Sequence, residues 1–249
     1  MLPTLQIGPL IIQTPGLALL AGLWLATVLI EKEAIRLKLD SGALLKALSY
    51  GLIGGLLAGR LAYALRHIAV YLDHPLDLLS LSATTLDLAT GLVAGVVIGV
   101  LVGRRARLPL RPSLDALAPG LAVLLVALGV GHLLSGNAYG APTHLPWGIL
   151  LWGETRHPTQ VYEILAGLGI LLAWWLAAPR LRGSGYAFLL VVTLGAAARV
   201  FLEAFHGDSQ TWAGGFRTAQ VGGLALLAIT LAIAWLWDRP SRSTEQEAV

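Results

Sequence analysis

Residues 88–103 read LATGLVAGVVIGVLVG, a run without a single charged side chain. It is apolar on every face, not on alternate residues. A membrane-spanning strand would alternate apolar and polar positions over about 10 residues. An unbroken run of this kind must satisfy its own backbone, so it is expected to be a helix surrounded by hydrocarbon or protein. Six more predominantly apolar runs, four of them with a few ionisable residues, lie at 15–30, 46–65, 114–135, 161–178, 186–205 and 219–237. Several are shorter than the ~20 residues a span needs, and apolar flanks extend them. Only 12% of the 249 residues are charged, about half of what a soluble domain carries, and the mean hydropathy is +0.74. The expected fold is an all-α polytopic membrane protein with about seven transmembrane helices.

Lysine and arginine set the expected orientation. Twelve of the 17 follow the first, third, fifth and seventh runs, as in Lys32–Lys46 and Arg104–Arg111. The other five, Arg60, Arg66, Arg156, Arg199 and Arg217, lie in or beside the opposite connections. The positive-inside rule then places the N-terminus outside and the C-terminus in the cytoplasm. The opening MLPTLQIGPL has no positive n-region, so the first run is expected to be a retained helix. Residues 1–238 are expected to form one transmembrane domain, and 239–249 a polar cytoplasmic tail. With no cysteine, disulfides, thiolate metal sites and cysteine nucleophiles are excluded. The net charge of +3 gives no sign of nucleic-acid binding. No internal repeat suggests an inverted-repeat transporter.

Ionisable groups inside spans cost about 2.5–3.5 kcal/mol at a helix centre, so the places that hold them carry information. Arg60, in GLLAGRLAYAL, either snorkels to the membrane edge or holds a phosphate through paired hydrogen bonds. Arg199 and Glu203, four apart, share a helix face and are expected to pair. That pair either lets the sixth span insert or sets Arg199 for an anionic headgroup. In GHLLSGNAYGAPTHLPWG, Gly136, Gly140, Pro142 and Pro146 break a helix, with Asn137 and Tyr139 at the break. Broken backbone at membrane depth survives where protein or a wet cavity satisfies it. RHPTQVYE, residues 156–163, then starts another helix. Pro158 and a capping Thr159 account for the start. His157, Gln160 and Tyr162 are left over, and they point to a polar chamber toward the outer leaflet.

These stretches carry a resemblance. IGPLIIQTPGLALLAG, GRLAYAL with YLDHPLDLL, SGNAYGAPTHLPWGI, RHPTQVYE, RVFLEAF and FRTAQVGG resemble, in order and over most of the chain, the prolipoprotein diacylglyceryl transferase family. HPTQVYE is the most specific, being close to that family's HPxQxYE. The resemblance implies a multi-pass protein of the bacterial cytoplasmic (inner) membrane, acting without cofactor or metal. Its partners would be phosphatidylglycerol and the signal peptide of a prolipoprotein with its lipobox cysteine. The diacylglyceryl group would pass to that thiol and glycerol-1-phosphate would leave. Arg199, Glu203, His157 and His132 are the expected catalytic residues. Arg60, Tyr63, Asn137, Tyr139, Gln160, Tyr162 and Glu163 are the expected substrate-binding residues. Set against the family pattern, Ala89 and Thr90 stand for a His-Gly pair, Gly129 for an arginine, Pro15 for a tyrosine and His206 for a later arginine. His132, one turn after Gly129, is either a compensating base or a packing histidine. Two functions are compatible with this pattern: a divergent transferase, or a catalytically degenerate paralogue that binds phospholipid or a membrane-tethered partner.

Overall fold

A computed structural model describes residues 4–7, 10–73, 85–212 and 214–238. Among them are seven helices long and apolar enough to cross a membrane, as the hydropathy of the sequence requires. They are α1 (Thr14–Arg36), α2 (Ser41–Arg66), α4 (Leu88–Arg105), α5 (Leu110–Ser135), α6 (Thr159–Leu181), α7 (Tyr186–Leu202) and α8 (Thr218–Asp238), with a short α3 (Ile68–Asp73) after α2. A 3-10 turn, Glu203–Phe205, continues α7. Two small antiparallel hairpins were not foreseen: β1 (Thr4–Ile7) with β2 (Leu10–Gln13), and β3 (Ile149–Leu151) with β4 (Glu154–Arg156). Most of the YLDHPLDLL loop, from residue 74, and the polar tail from 239 lie outside the described residues.

The chain divides into two compact units: Glu31–Ser113, and Met1–Ile30 with Leu114–Val249. In the first, α2 and α4 meet along glycines. A β-carbon on Gly55 would stand 2.6 Å from the carbonyl oxygen of Gly91, and one on Gly95 would stand 2.9 Å from that of Gly51. Lipid is as apolar as leucine, so burial gives helices little reason to associate there. Close backbone approach through small residues supplies the attraction instead. The larger side chains, such as Leu57, Leu61, Leu92 and Val93, remain exposed, as they must be to meet lipid. Asp40 caps α2 at Ala43 N (2.9 Å) and Asp87 caps α4 at Thr90 N (2.8 Å). The bonds from Thr90 to Asp87 hold its carboxyl below the usual range, helped by the nearby Arg66.

In the second unit α5, α6 and α7 share a core of Ala118, Ala122, Ile170, Trp174, Ala178, Ala187 and Val191. Gly120 of α5 packs on Ile30 of α1, and Gly223 of α8 on Val200 of α7. The Thr193 hydroxyl lies 3.0 Å from that of Thr230, and Tyr186 donates to the carbonyl of Ala234 at 3.3 Å. These are polar ties between α7 and α8 within an otherwise apolar contact. Asp115 of α5, 2% exposed, accepts from the backbone N–H of Gly185 (2.8 Å) and Phe188 (3.2 Å). One carboxylate thus satisfies orphan donors at the start of α7 and sits at its positive dipole end. This packing brings the end of α5, the start of α6, the end of α7 and the start of α8 to one end of the unit.

Candidate functional site

The chain leaves α5 at Ser135 and turns through Gly136 (φ 80) and Ala138 (φ 51). Backbone bonds to residues far along the chain hold the segment from Tyr139 to Ala141. Ala141 N donates to Phe205 O at 2.8 Å, Gly207 N to Tyr139 O at 2.9 Å and His157 N to Ala141 O at 3.0 Å. A β-carbon on Gly140 would collide with the His157 carbonyl, so this close approach requires glycine. Two fully buried side chains from the first turn of α6 take up the next polar groups. Thr159 donates to the Ala138 carbonyl (2.5 Å), and the Gln160 amide to that of Asn137 (2.9 Å). The expectation that Thr159 caps α6 is therefore corrected. The cap position is Pro158, which makes no side-chain bond, while the Thr159 hydroxyl satisfies broken backbone across the site. Asn137 takes part here through its backbone carbonyl.

One turn further along α6, Glu163 is the point where the site converges. Its Oε2 lies 2.6 Å from Nδ1 of His132, on α5. Its Oε1 lies 3.3 Å from Nε2 of His206 and accepts from Arg199 of α7 at 3.4 Å. Arg199 also pairs with Glu203 at 2.9 Å, as their spacing foretold. The Glu203 side chain is 2% exposed and that of Arg199 44%, so the guanidinium is backed by protein and open in front. Arg217, just before α8, donates to the carbonyls of Glu203 and His206 and ties the 3-10 turn in place. Gly129 makes the geometry possible. A β-carbon there would stand 2.9 Å from Ile164 Cγ1 and 3.0 Å from Ile164 N. Without one, α5 comes close enough to α6 for His132 to reach Glu163.

His157 lies apart from this carboxylate. Its Nδ1 is 3.4 Å from the Tyr162 hydroxyl, and its ring meets Phe205 edge-on at 5.2 Å. Tyr162 in turn accepts from Trp147 Nε1 at 2.8 Å, and Tyr139 lies under the Arg156 guanidinium at 5.2 Å. Arg60 and Tyr63 belong to the other unit. There Arg60 donates to Thr85 and lies 5.7 Å from the Tyr71 ring centroid, and Tyr63 stacks on His67 at 4.3 Å.

Neither His206, noted in the sequence only as standing for a family arginine, nor Arg217, noted only within FRTAQVGG, is among the expected site residues. His206 is 3% exposed. Burial works against its charged form, but the bonds to Glu163 and the Leu202 carbonyl outweigh that and raise its pKa above the ordinary histidine value. Two signals were available: His206 stands for a family arginine, and it is three residues beyond Glu203, so one turn away. Among the described residues no group of three His, Asp or Glu side chains is arranged to hold a metal ion.

The arrangement thus offers an oriented imidazole, an open guanidinium and a shared carboxylate at the end of membrane-spanning helices. Known proteins with this sequence pattern identify the context. Residues 3–237 match the family model described as prolipoprotein diacylglyceryl transferase. The chain is 33% identical to the phosphatidylglycerol–prolipoprotein diacylglyceryl transferase of Methylobacillus flagellatus, covering 77% of this chain and 74% of that one. To the protein of the same name from Methylocella silvestris it is 32% identical, covering 92% and 90%. To that from Nitrosomonas europaea it is 28% identical, covering 98% and 92%. With the match running through all seven spans, and with relatives covered nearly end to end, this chain belongs to the prolipoprotein diacylglyceryl transferase family.

Proposed function

We propose that the chain moves the diacylglyceryl group of phosphatidylglycerol to the lipobox cysteine of a prolipoprotein, on the outer side of the bacterial inner membrane. The thiol proton passes to Nε2 of His132 as sulfur bonds to the glyceryl carbon. The bond from that carbon to the phosphate oxygen breaks, and glycerol-1-phosphate leaves with the electron pair. A base is needed because a free thiol has a pKa of about 8.5. Arg199 meets the charge that grows on the leaving phosphate, a form of stabilisation that counts most where water is scarce. Glu203 fixes Arg199, and Glu163 fixes the ring of His132.

The observation that supports this reading best is the 2.6 Å approach of His132 Nδ1 to Glu163, on the carboxylate that also receives Arg199. Among the described residues His132 Nε2 has no hydrogen-bond partner, so it can face substrate. Among the described residues His157, the other candidate base, has Tyr162 as its polar neighbour and no carboxylate to orient it. Gln160, expected near substrate, serves the site by holding the broken backbone, as Thr159 does; Tyr139 and Tyr162 line its aromatic side.

The test is complementation. The chain is expressed in cells depleted of their own transferase, and lipoproteins are examined by mass spectrometry for the diacylglyceryl adduct. The wild-type chain should yield the adduct, and His132→Ala should lower the rate by about 10²–10⁴-fold, the usual worth of a general base. Transfer that survives loss of both His132 and His157 would reject the base assignment. A second reading, phospholipid binding without transfer, is favoured by Ala89 and Gly129, which on the resemblance stand for a histidine and an arginine of the family pattern. It predicts co-purified phospholipid and no adduct.

A further inference from the structure

Two histidines share the carboxylate of Glu163, and their surroundings differ. The ring of His206 is closed in, with the residue 3% exposed. Its Nδ1 lies 2.9 Å from the Leu202 carbonyl oxygen and its Nε2 lies 3.3 Å from Glu163 Oε1. A carbonyl has no proton to give. Glu163 pairs with Arg199 through Oε1 and with His132 Nδ1 through Oε2, the surroundings of an ionised carboxylate, so it has none either. A neutral imidazole carries one N–H and one bare lone pair. In this setting the lone pair would face an oxygen with no water to intervene. Only the doubly protonated ring makes both bonds. His132 is unlike it: its side chain is 35% exposed, one nitrogen engages Glu163 Oε2, and among the described residues the other has no partner.

We propose that His206 is a positioning residue that works as a fixed imidazolium. It pins Oε1 of Glu163, reserves Oε2 for the Nδ1–H of His132, and so leaves Nε2 of His132 as the bare nitrogen that accepts the substrate proton. The role rests on the reading of His132 as base.

The charges around His206 allow this. Glu163 faces it from α6, Arg199 from α7 and Glu203 from the adjoining turn. Arg217 reaches its carbonyl from the segment before α8, and His132 stands across Glu163 on α5. The two carboxylates offset the two guanidiniums, so the imidazolium leaves the cluster one positive charge in surplus, the sign an anionic headgroup requires. The raised pKa of His206 has the same direction. Its charge is present below that pKa and is lost as pH rises through it, when Oε1 loses a donor and the His132 tautomer loses its fixed partner.

The full chain, labelled with ¹⁵N-histidine and embedded in phosphatidylcholine nanodiscs, gives a direct readout by solid-state NMR. Resonances are assigned by their loss in H206Q and in H132Q. At pH of about 7.5, above the ordinary histidine value, His206 should show two protonated nitrogens and His132 a protonated Nδ1 beside a bare Nε2. A single-proton tautomer for His206, or a proton on Nε2 of neutral His132, overturns the proposal. In transfer assays H206Q should lower kcat by about tenfold or more, the scale of a disturbed acid–base step, with KM nearly unchanged. H206R, which keeps the charge, should exceed H206Q and show no alkaline loss attributable to this position. A folded H206Q with wild-type kcat at every pH removes the positioning role. If the wild-type chain transfers nothing, the functional reading fails, and the nitrogen spectrum still decides the charge of His206.

Discussion

At the scale of single residues, the site depends on an atom that is missing. Gly129 carries no β-carbon, and α6 fills the space, with Ile164 Cγ1 2.9 Å and Ile164 N 3.0 Å from where that carbon would be. Helix backbone cannot yield as a side-chain tip can, so Gly129→Leu should push α6 from α5. Overpacking of this kind costs about 1–3 kcal/mol. It should also part His132 from Glu163, so transfer should fall further than the folded fraction, measured by lipoprotein adduct per folded enzyme. Equal losses in both would mean that the spacing serves stability alone. His206 sets a second expectation. Its pKa is raised in the folded state by Glu163 and the Leu202 carbonyl against the opposing effect of burial. A raised histidine contributes stability that is whole below about 6.5, the unfolded value, and lost as pH rises through the folded value. The thermal midpoint of the chain in nanodiscs, followed by tryptophan fluorescence, should therefore decline across that alkaline interval. In His206→Arg the decline from this group should vanish.

Elements were more legible than their contacts. All seven spans could be read because long apolar runs without strand alternation satisfy their backbone in lipid only as helices. Caps were less secure. Thr159 has the chemistry of an N-cap, yet its hydroxyl bonds to Ala138, 21 residues back. Residue type reveals that a side chain can accept or donate, and only the tertiary path of the chain supplies the partner. The hub was hidden for the same reason: His132 and His206 lie 31 and 43 residues from Glu163. The Arg199–Glu203 pair was visible because helical spacing alone brings it together. Asp115 belongs to the hidden class, since it caps α7 from α5, 70 residues from Gly185. Asp115→Ala leaves two N–H groups of α7 without their acceptor. The loss should be about 1–3 kcal/mol, the usual cost of an unsatisfied buried polar group. Asp115→Asn, with one carbonyl oxygen left to accept, should lose less. Thermal midpoints of the two variants that coincide with the wild type would show that α7 finds other partners.

For the whole molecule, the decisive question is which side of the membrane each end of the helices faces. The site forms where α5 and α7 end and α6 and α8 begin. Within the same unit, α6 carries its basic residues at the opposite helix end, with Arg180 in the last turn and Arg182 at the C-cap. Retention of such residues in the cytoplasm would put the site on the outer side, where an exported prolipoprotein would present its thiol. The absence of native cysteine makes this directly measurable, because one introduced thiol is the only thiol. Trp152, 69% exposed at the tip between β3 and β4, reports on the site end. Arg182, exposed at the C-cap of α6, reports on the basic end. In intact spheroplasts a membrane-impermeant maleimide should label Trp152→Cys at once and Arg182→Cys only after lysis. The reverse pattern would place His132, Glu163 and Arg199 in the cytoplasm, out of reach of an exported thiol. The chemistry of the cluster would then need a different acceptor, however well its geometry suits proton transfer.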